Sequence, residues 1–355
     1  MTGQSQTLLA SGLYALINLD GAPVDPADAR LLGLPPVNGP VTAVARDEAQ
    51  PMAVQQRVSP TEVALFAGFL DEPEDLAASL GLSRQADQLS IALAAWARHG
   101  ADMPYHALGE WSLLHWRAEH GLVLVSSMPR RDRICIARVG NRLAIAPGVW
   151  QLARLPWVGQ EIDELGLTFG IMPFQVRQEG GLRTALRHVR QLPYGASLEI
   201  SADSERYARS RSWRSFEAQP WCGSQRDAVA AAEDLLLHSM RQRVDRGGRP
   251  GALLSGGLDS SLAVWLLAET LGRDHPFPCI TSQAPKGSGI ADELAKAQLV
   301  GETLGLPVHA ILPPEDYSPY QLSMDQIIVG NGVIQSPRHY LYRSFAETAV
   351  GLGVN

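Results

Sequence analysis

The string ALLSGGLDSSLA at residues 252–263 sets two glycines and three serines between an apolar run and a stretch of helical spacing, the make-up of a cradle for phosphate groups. Glycine reaches positive φ and leaves room for a ligand beside the backbone. Gly256 and Gly257 can therefore let successive N–H groups converge on anionic oxygens. Ser255, Ser260 and Ser261 add hydroxyl donors, and the helix that follows brings its unsatisfied N–H groups and positive dipole end to the same place. Asp259 is out of place in an anion site unless a Mg²⁺ bridges its carboxylate to the phosphates, so it is read as the metal ligand and the catalytic carboxylate. The same residues can also make a ligand-free tight turn whose serines and aspartate cap a helix. In contrast to the Walker pattern, no Gly-Lys-Ser/Thr follows and no Lys lies close by in the sequence. A loop of this kind suits gripping pyrophosphate while the α-phosphorus is attacked, rather than γ-phosphoryl transfer.

The elements around the string must hold it at the end of a strand. Residues 251–254, 279–282 and 308–312 read as strands alternating with helices at 258–271 and 291–304, and a last helix covers 340–351. Such alternation implies a parallel sheet with ligands at the carboxyl ends of its strands. Ser224 and Asp227 give a start signal for a further helix carrying Val229, Leu236, Met240 and Val244. Upstream the period is two: short strands at 13–19, 41–45, 63–69, 111–116, 122–126, 134–139 and 143–146, with hairpin joints at Glu119–Gly121 and Gly140–Asn141. Helices are expected at 73–80 and 87–99. This is a mostly antiparallel α+β domain, followed by a polar connector at 207–221 and a boundary near Pro220.

Bulk properties narrow the class. At 355 residues the chain has room for two domains, and 45% hydrophobic with 19% charged residues is a globular composition. A net charge of −7 gives no general attraction to phosphate backbones, despite the local cluster Arg130, Arg131 and Arg133, so no nucleic-acid partner is expected. Cys135, Cys222 and Cys279 stand apart, without the spacing of a disulfide framework or zinc site, which fits a reducing cytoplasm. The longest apolar stretch, residues 262–267, is far short of the ~20 a membrane helix needs, and no membrane partner is expected.

The string resembles the pyrophosphate loop of the N-type ATP pyrophosphatases, and in detail that of the asparagine synthetase family. Further likenesses run along nearly the whole chain. Residues 11–21, SGLYALINLDG, resemble the opening strand of the family's glutaminase domain. Residues 68–80 resemble its strand-and-helix segment, and residues 108–124 its G-D-F hairpin, here G-E-W. Arg131 and Asp132 match the start of an otherwise eroded R-D-x-x-G-x-R-P element, and Gly195 lies in a turn resembling P-P-G-H. Asp292 and Glu293 resemble a D-E-x-x-x-A segment, although acids in a first helical turn also serve the dipole. The resemblance implies an Ntn-hydrolase-like domain over residues 1–220, connector included, and a partial, Rossmann-like ATP pyrophosphatase domain over 221–355. It implies ATP and Mg²⁺ as cofactors. It also places Leu254, Ile280, Thr281 and Ser282 where relatives line adenine and ribose, positions that plain core strands would occupy equally well.

Two departures shape the functional expectation. Glutamine-using relatives begin with a cysteine whose own α-amino group is the base; here the matching residue is Ser11, with ten residues ahead of it. A hydroxyl is far less acidic than a thiol, so glutaminase activity is expected to be absent; Thr2 is the alternative terminal nucleophile. In this the chain looks more like β-lactam synthetases and lasso-peptide macrolactam cyclases, whose amine comes from the substrate, than like glutamine-hydrolysing asparagine synthases. The expected partner is then a small-molecule or peptide substrate bearing carboxylate and amine, such as a precursor peptide. The second departure is a missing G-x-G-G-D-E-like loop and helical region after residue 355, which reads as a C-terminal truncation, with a homodimer or a second polypeptide completing the site. A nucleotide-binding remnant without chemistry is the rival reading from another class.

Overall fold

The computed structural model describes residues 11–47, 53–128, 133–171, 182–210, 220–272, 274–284, 293–312 and 339–354. Thr2, Arg130, Arg131, Asp132 and Asp292 lie outside them. The described residues fall into two compact units, 11–210 and 220–354.

The first unit is built on two antiparallel sheets. One orders its strands β2-β1-β8-β7-β9: β1 (Gly12–Asn18), β2 (Val41–Arg46), β7 (Cys135–Val139), β8 (Arg142–Ala146) and β9 (Val189–Gln191). The other runs β11-β10-β6-β5-β4-β3: β3 (Val54–Val58), β4 (Glu62–Leu70), β5 (Gly109–Arg117), β6 (Gly121–Ser126), β10 (Ala196–Ile200) and β11 (Glu205–Arg209). Strand residues point alternately to opposite faces, and here both faces are apolar. Leu13, Ala15 and Ile17 of β1 face Val63, Leu65 and Ala67 of β4 in the core between the sheets. Tyr14 and Leu16 on the reverse face of β1 pack with α1 (Pro26–Leu31) and α5 (Val149–Leu152). Ala64 and Phe66 of β4 pack with Leu89, Ile91, Ala92 and Ala95 of α3 (Gln88–His99), behind α2 (Pro73–Ser79). The order helix, sheet, sheet, helix is a layered, mostly antiparallel α+β domain, as expected from the sequence. Among the described residues the unit also has two short helices, α4 (Met103–His106) and α6 (Glu164–Ile171).

Local chemistry explains the boundaries. Asp87 caps α3 by accepting the Ser90 N–H at 2.9 Å. Gly68, at φ 116°, lies so close to β5 that an added Cβ would meet the Glu110 carbonyl oxygen at 2.0 Å, so β4 tolerates no side chain there.

The connector expected from residue 207 begins later than the composition suggested, because Glu205–Arg209 is β11, paired antiparallel with β10. Its residues read as polar because charge pairs line this edge strand: Glu205 accepts from Arg190 and, at 3.4 Å, from Arg138, while Arg206 bonds Glu199 of β10. The Arg190 hydrogen bonds hold the Glu205 carboxyl below its usual value of 4.5. A depressed folded-state value means that the stabilisation is present above about pH 4.5 and is lost as the pH falls through the lower folded value. Because the pairs are exposed and screened by solvent, Glu205→Gln is expected to lower stability at pH 7 by only about 0.5–1 kcal/mol. Urea titrations from pH 7 to pH 3 should show the wild type losing stability more steeply in acid than this variant.

The second unit has a three-stranded parallel sheet ordered β12-β13-β14: β12 (Ala252–Leu253), β13 (Cys279–Ser282) and β14 (Val308–Ile311). Its helices are α7 (Gln225–Val244), α8 (Leu258–Leu271), α9 (Leu294–Leu304) and α10 (His339–Gly351). The Ser224–Asp227 signal is realised as a capping box in which the serine hydroxyl accepts the Asp227 N–H at 3.2 Å and the carboxylate accepts the Ser224 N–H at 3.0 Å. Leu254, Val264, Leu267, Ala268, Cys279 and Ala297 form the core. Burial in this core pushes the Cys279 thiol up to about 11, which keeps it neutral and inert. The chain is thus mixed α/β, with antiparallel sheets followed by a parallel one. Among the described residues no helix is long and apolar enough to cross a membrane.

Candidate functional site

The loop between β12 and α8 is held by its own serines. The Ser255 and Ser260 hydroxyls are 2.9 Å apart; Ser260 Oγ accepts the Ser255 N–H at 3.2 Å, and Ser255 Oγ accepts the Gly257 N–H at 3.3 Å. Ser260 Oγ also reaches the Gly257 carbonyl at 3.1 Å. The amides of Ser255 and Gly257 are thus held by hydroxyls, which rotate readily toward another partner, rather than by protein carbonyls. Gly257 is the N-cap of α8 and offers no side-chain cap, so the first-turn N–H groups of Leu258, Asp259 and Ser260 have no intrahelical acceptor. Ser261 closes the turn, its N–H donating to the Gly257 carbonyl at 3.0 Å.

Gly256 is required twice over. Its φ is 73°, and an added Cβ would lie 2.4 Å from Lys296 Cβ and 2.8 Å from the Ala297 nitrogen, because the loop packs directly on α9. Gly257 differs: its φ of −74° suits any residue, and an added Cβ would meet only Ser255 Oγ, at 3.3 Å.

Beside the loop, at the carboxyl ends of β12 and β13, is a cavity of about 250 Å³. Leu254, Ser255, Ser260, Ile280, Thr281 and Ser282 all line it, so the fold gathers these sequence candidates around one space. Gly256, Gly257, Asp259 and Ser261 belong to the loop and first turn without lining the cavity, and Asp259 is exposed there. Glu293, at the N-cap of α9, does line it. Among the described residues no group of three His, Cys, Asp or Glu could hold a metal. A single carboxylate nevertheless fits Mg²⁺, which commonly binds through one or two carboxylates plus substrate phosphates and water.

Sequence reasoning missed three cavity-wall residues: Leu253, and Leu341 and Phe345 of α10. The available signal for the last two was their i, i+4 spacing, which sets both on one helix face. No lysine lies near the loop in the sequence, but the fold brings one to it. The stem of Lys296, forty residues downstream of Gly256, begins against that glycine.

Ser11 stands just before β1 in the first unit, and its hydroxyl donates to Asp47 Oδ1 at 3.5 Å. That separation is longer than the ~2.6–3.2 Å over which a general base takes a proton.

Comparison with known proteins bears on the second unit. No curated protein matches the chain. Among solved structures, the NH3-dependent NAD synthetase of Campylobacter jejuni aligns at 14% identity and a TM-score of 0.25 over 35% of this chain and 53% of its own, about half its length. The Bacillus subtilis glutamine phosphoribosylpyrophosphate amidotransferase complexed with ADP and GMP aligns at 12% identity and a TM-score of 0.33, covering 87% of this chain and 77% of its own. An allosteric regulatory enzyme of purine biosynthesis aligns at 13% identity and 0.33, covering 94% and 85%. Likenesses this distant carry nothing about chemistry. The sequence match is more specific: residues 231–349, from within α7 to within α10 and including the whole serine–glycine loop, match the family described as Asparagine synthase.

Proposed function

We propose that the protein is an ATP-dependent amide-forming ligase that activates a carboxylate as its acyl-adenylate. The observation that carries this reading is the loop itself. Two serine hydroxyls, a side-chain-free helix N-cap and the uncapped α8 N-terminus meet at the edge of a cavity at the ends of two parallel strands.

A substrate carboxylate oxygen attacks the α-phosphorus of ATP, the bond to the bridging oxygen of the β-phosphate breaks, and pyrophosphate leaves. An amine nitrogen then attacks the acyl carbon, the bond to AMP breaks, and the amine proton passes to water. Ser255, Ser260 and Ser261 hydroxyls with the backbone at Gly256 and Gly257 grip the leaving pyrophosphate, and Leu254, Ile280, Thr281 and Ser282 hold the nucleoside. Asp259 would hold Mg²⁺, which when bound neutralises charge on the phosphates. The chain contributes mainly by positioning and preorganised dipoles.

The amine, in this reading, belongs to the substrate. The first unit carries a hydroxyl at Ser11 where glutamine-using relatives carry a thiol. We therefore place the reaction as intramolecular macrolactam closure on a precursor peptide, in the cytoplasm, without nucleic acid or membrane. Asparagine formation is the alternative within the same chemistry. The test is exchange of labelled pyrophosphate into ATP. Exchange is expected with a peptide bearing both carboxylate and amine, and glutamine should give no glutamate. Exchange with aspartate and release of glutamate would replace the peptide reading with asparagine synthesis; ATP binding with no exchange on either substrate would leave a nucleotide-binding protein only.

A further inference from the structure

The charge around the loop is unbalanced for a triphosphate. Asp259 in the first turn of α8 and Glu293 on the cavity wall are both acidic, and the serines and glycines carry no charge. In P-loop sites of the Walker type a lysine in the motif itself offsets phosphate charge, and this motif has none. The fold supplies one from elsewhere. Lys296, in the first turn of α9, has its Cβ against Gly256: a Cβ added to that glycine would sit 2.4 Å from it. The side chain is exposed, and among the described residues its ammonium makes no ion pair. Its four-carbon stem is flexible and starts at the rim of the phosphate cradle, so the ammonium can swing over the loop.

Composition sharpens the point. Of the 30 basic Lys and Arg residues only two are lysine, Lys286 and Lys296, and both fall in the stretch between β13 and the middle of α9. A chain that otherwise uses arginine for its positive charge thus places a lysine beside the glycine loop, and a lysine ammonium binds phosphate as a compact point charge.

We infer that Lys296 is a phosphate-binding residue, its ammonium contacting the β- and γ-phosphates of bound ATP and the pyrophosphate that leaves. This rests on the adenylating reading above, and the experiment separates the two. Mg·ATP, pyrophosphate and AMP are each titrated into wild type, Lys296→Gln and Lys296→Arg. Loss of one charge-assisted contact should weaken ATP and pyrophosphate binding about 10- to 100-fold in Lys296→Gln. AMP binding should be unchanged, and Lys296→Arg should recover most of the lost affinity. Because the side chain is exposed, the unfolding midpoint should not move, which excludes a merely structural effect. A second readout uses the scarcity of lysine: limited acetylation mapped by mass spectrometry should show Lys296 protected by ATP and by pyrophosphate but not by AMP. If wild type binds pyrophosphate and Lys296→Gln binds it equally well, the assignment of Lys296 fails alone. If wild type binds neither ATP nor pyrophosphate, the reading of the loop fails with it.

Discussion

Replacing Asp259 by alanine is expected to reduce substrate-dependent exchange of pyrophosphate into ATP by about 100-fold or more, in line with the loss of a group that stabilises transition-state charge. The side chain is exposed in the first turn of α8, and no hydrogen bond to it contributes to the loop, whose hydroxyl network runs through Ser255 and Ser260. The fold should therefore survive, and the unfolding midpoint should change little. A carboxylate at a helix N-terminus interacts favourably with the dipole, so a loss of up to about 1 kcal/mol of stability is consistent with a capping role. A purely structural Asp259 would show that small loss with exchange intact. A metal-holding Asp259 would show the reverse, together with a weakened dependence of ATP affinity on Mg²⁺ concentration. Asp259→Asn keeps the shape without the charge and should behave like the alanine variant.

The second large effect concerns Gly256, where stability is expected to fall. Alanine there must adopt φ near 73° and place a methyl within 2.4 Å of Lys296 Cβ and 2.8 Å of the Ala297 nitrogen. Left-handed backbone in a non-glycine residue and overpacking together cost roughly 2–5 kcal/mol. The obstructing atoms are mostly α9 backbone, so relief requires α9 to move off the loop, which opens the core at Ala297. Gly257→Ala is the control. Its φ of −74° is ordinary and the new Cβ would meet only Ser255 Oγ at 3.3 Å, so the fold should hold within about 1 kcal/mol. The added methyl would nevertheless occupy the N-cap where a phosphate must approach, so ATP affinity should fall in a protein that is still folded. Urea unfolding of the two variants beside ATP titration checks both halves; equal stability of Gly256→Ala and wild type would contradict the packing argument.

Much of the fold was legible because its pattern is local. In β1 the alternation of Leu13, Ala15 and Ile17 with Tyr14 and Leu16 announces a strand, and that both sets are apolar announces burial on two faces. The Ser224–Asp227 capping box was readable for the same reason, since both partners lie within one turn. Two polar edge strands were not legible. β3 and β11 read Val-Gln-Gln-Arg-Val and Glu-Arg-Tyr-Ala-Arg; Gln55 and Arg57 of β3 hydrogen-bond to Leu89 and Ser90 of α3 and β11 is lined by ion pairs, so neither shows the apolar alternation that announces a strand. Helix α1 was missed although its signals were present, with Asp25 as N-cap and Pro26 at the first position, because six residues are too few to show a period.

The candidate site divides in the same way. Its loop is one contiguous string, so the glycines and serines could be named from their order alone. The wall supplied by Leu341 and Phe345 and the cation supplied by Lys296 come from segments tens of residues away, and only the packing of α9 and α10 against the sheet brings them to the loop. Nothing in their local sequence distinguishes them from other helical residues, except that lysine is so scarce in this chain.

The most direct test of the phosphate-gripping loop is competition between pyrophosphate and ATP, followed by equilibrium titration in the presence of Mg²⁺. One site is expected, with pyrophosphate displacing ATP completely and with Gly257→Ala weakening both ligands together. Binding of ATP that pyrophosphate does not displace, or that Gly257→Ala leaves unchanged, would show that the nucleotide is held somewhere other than the turn between β12 and α8.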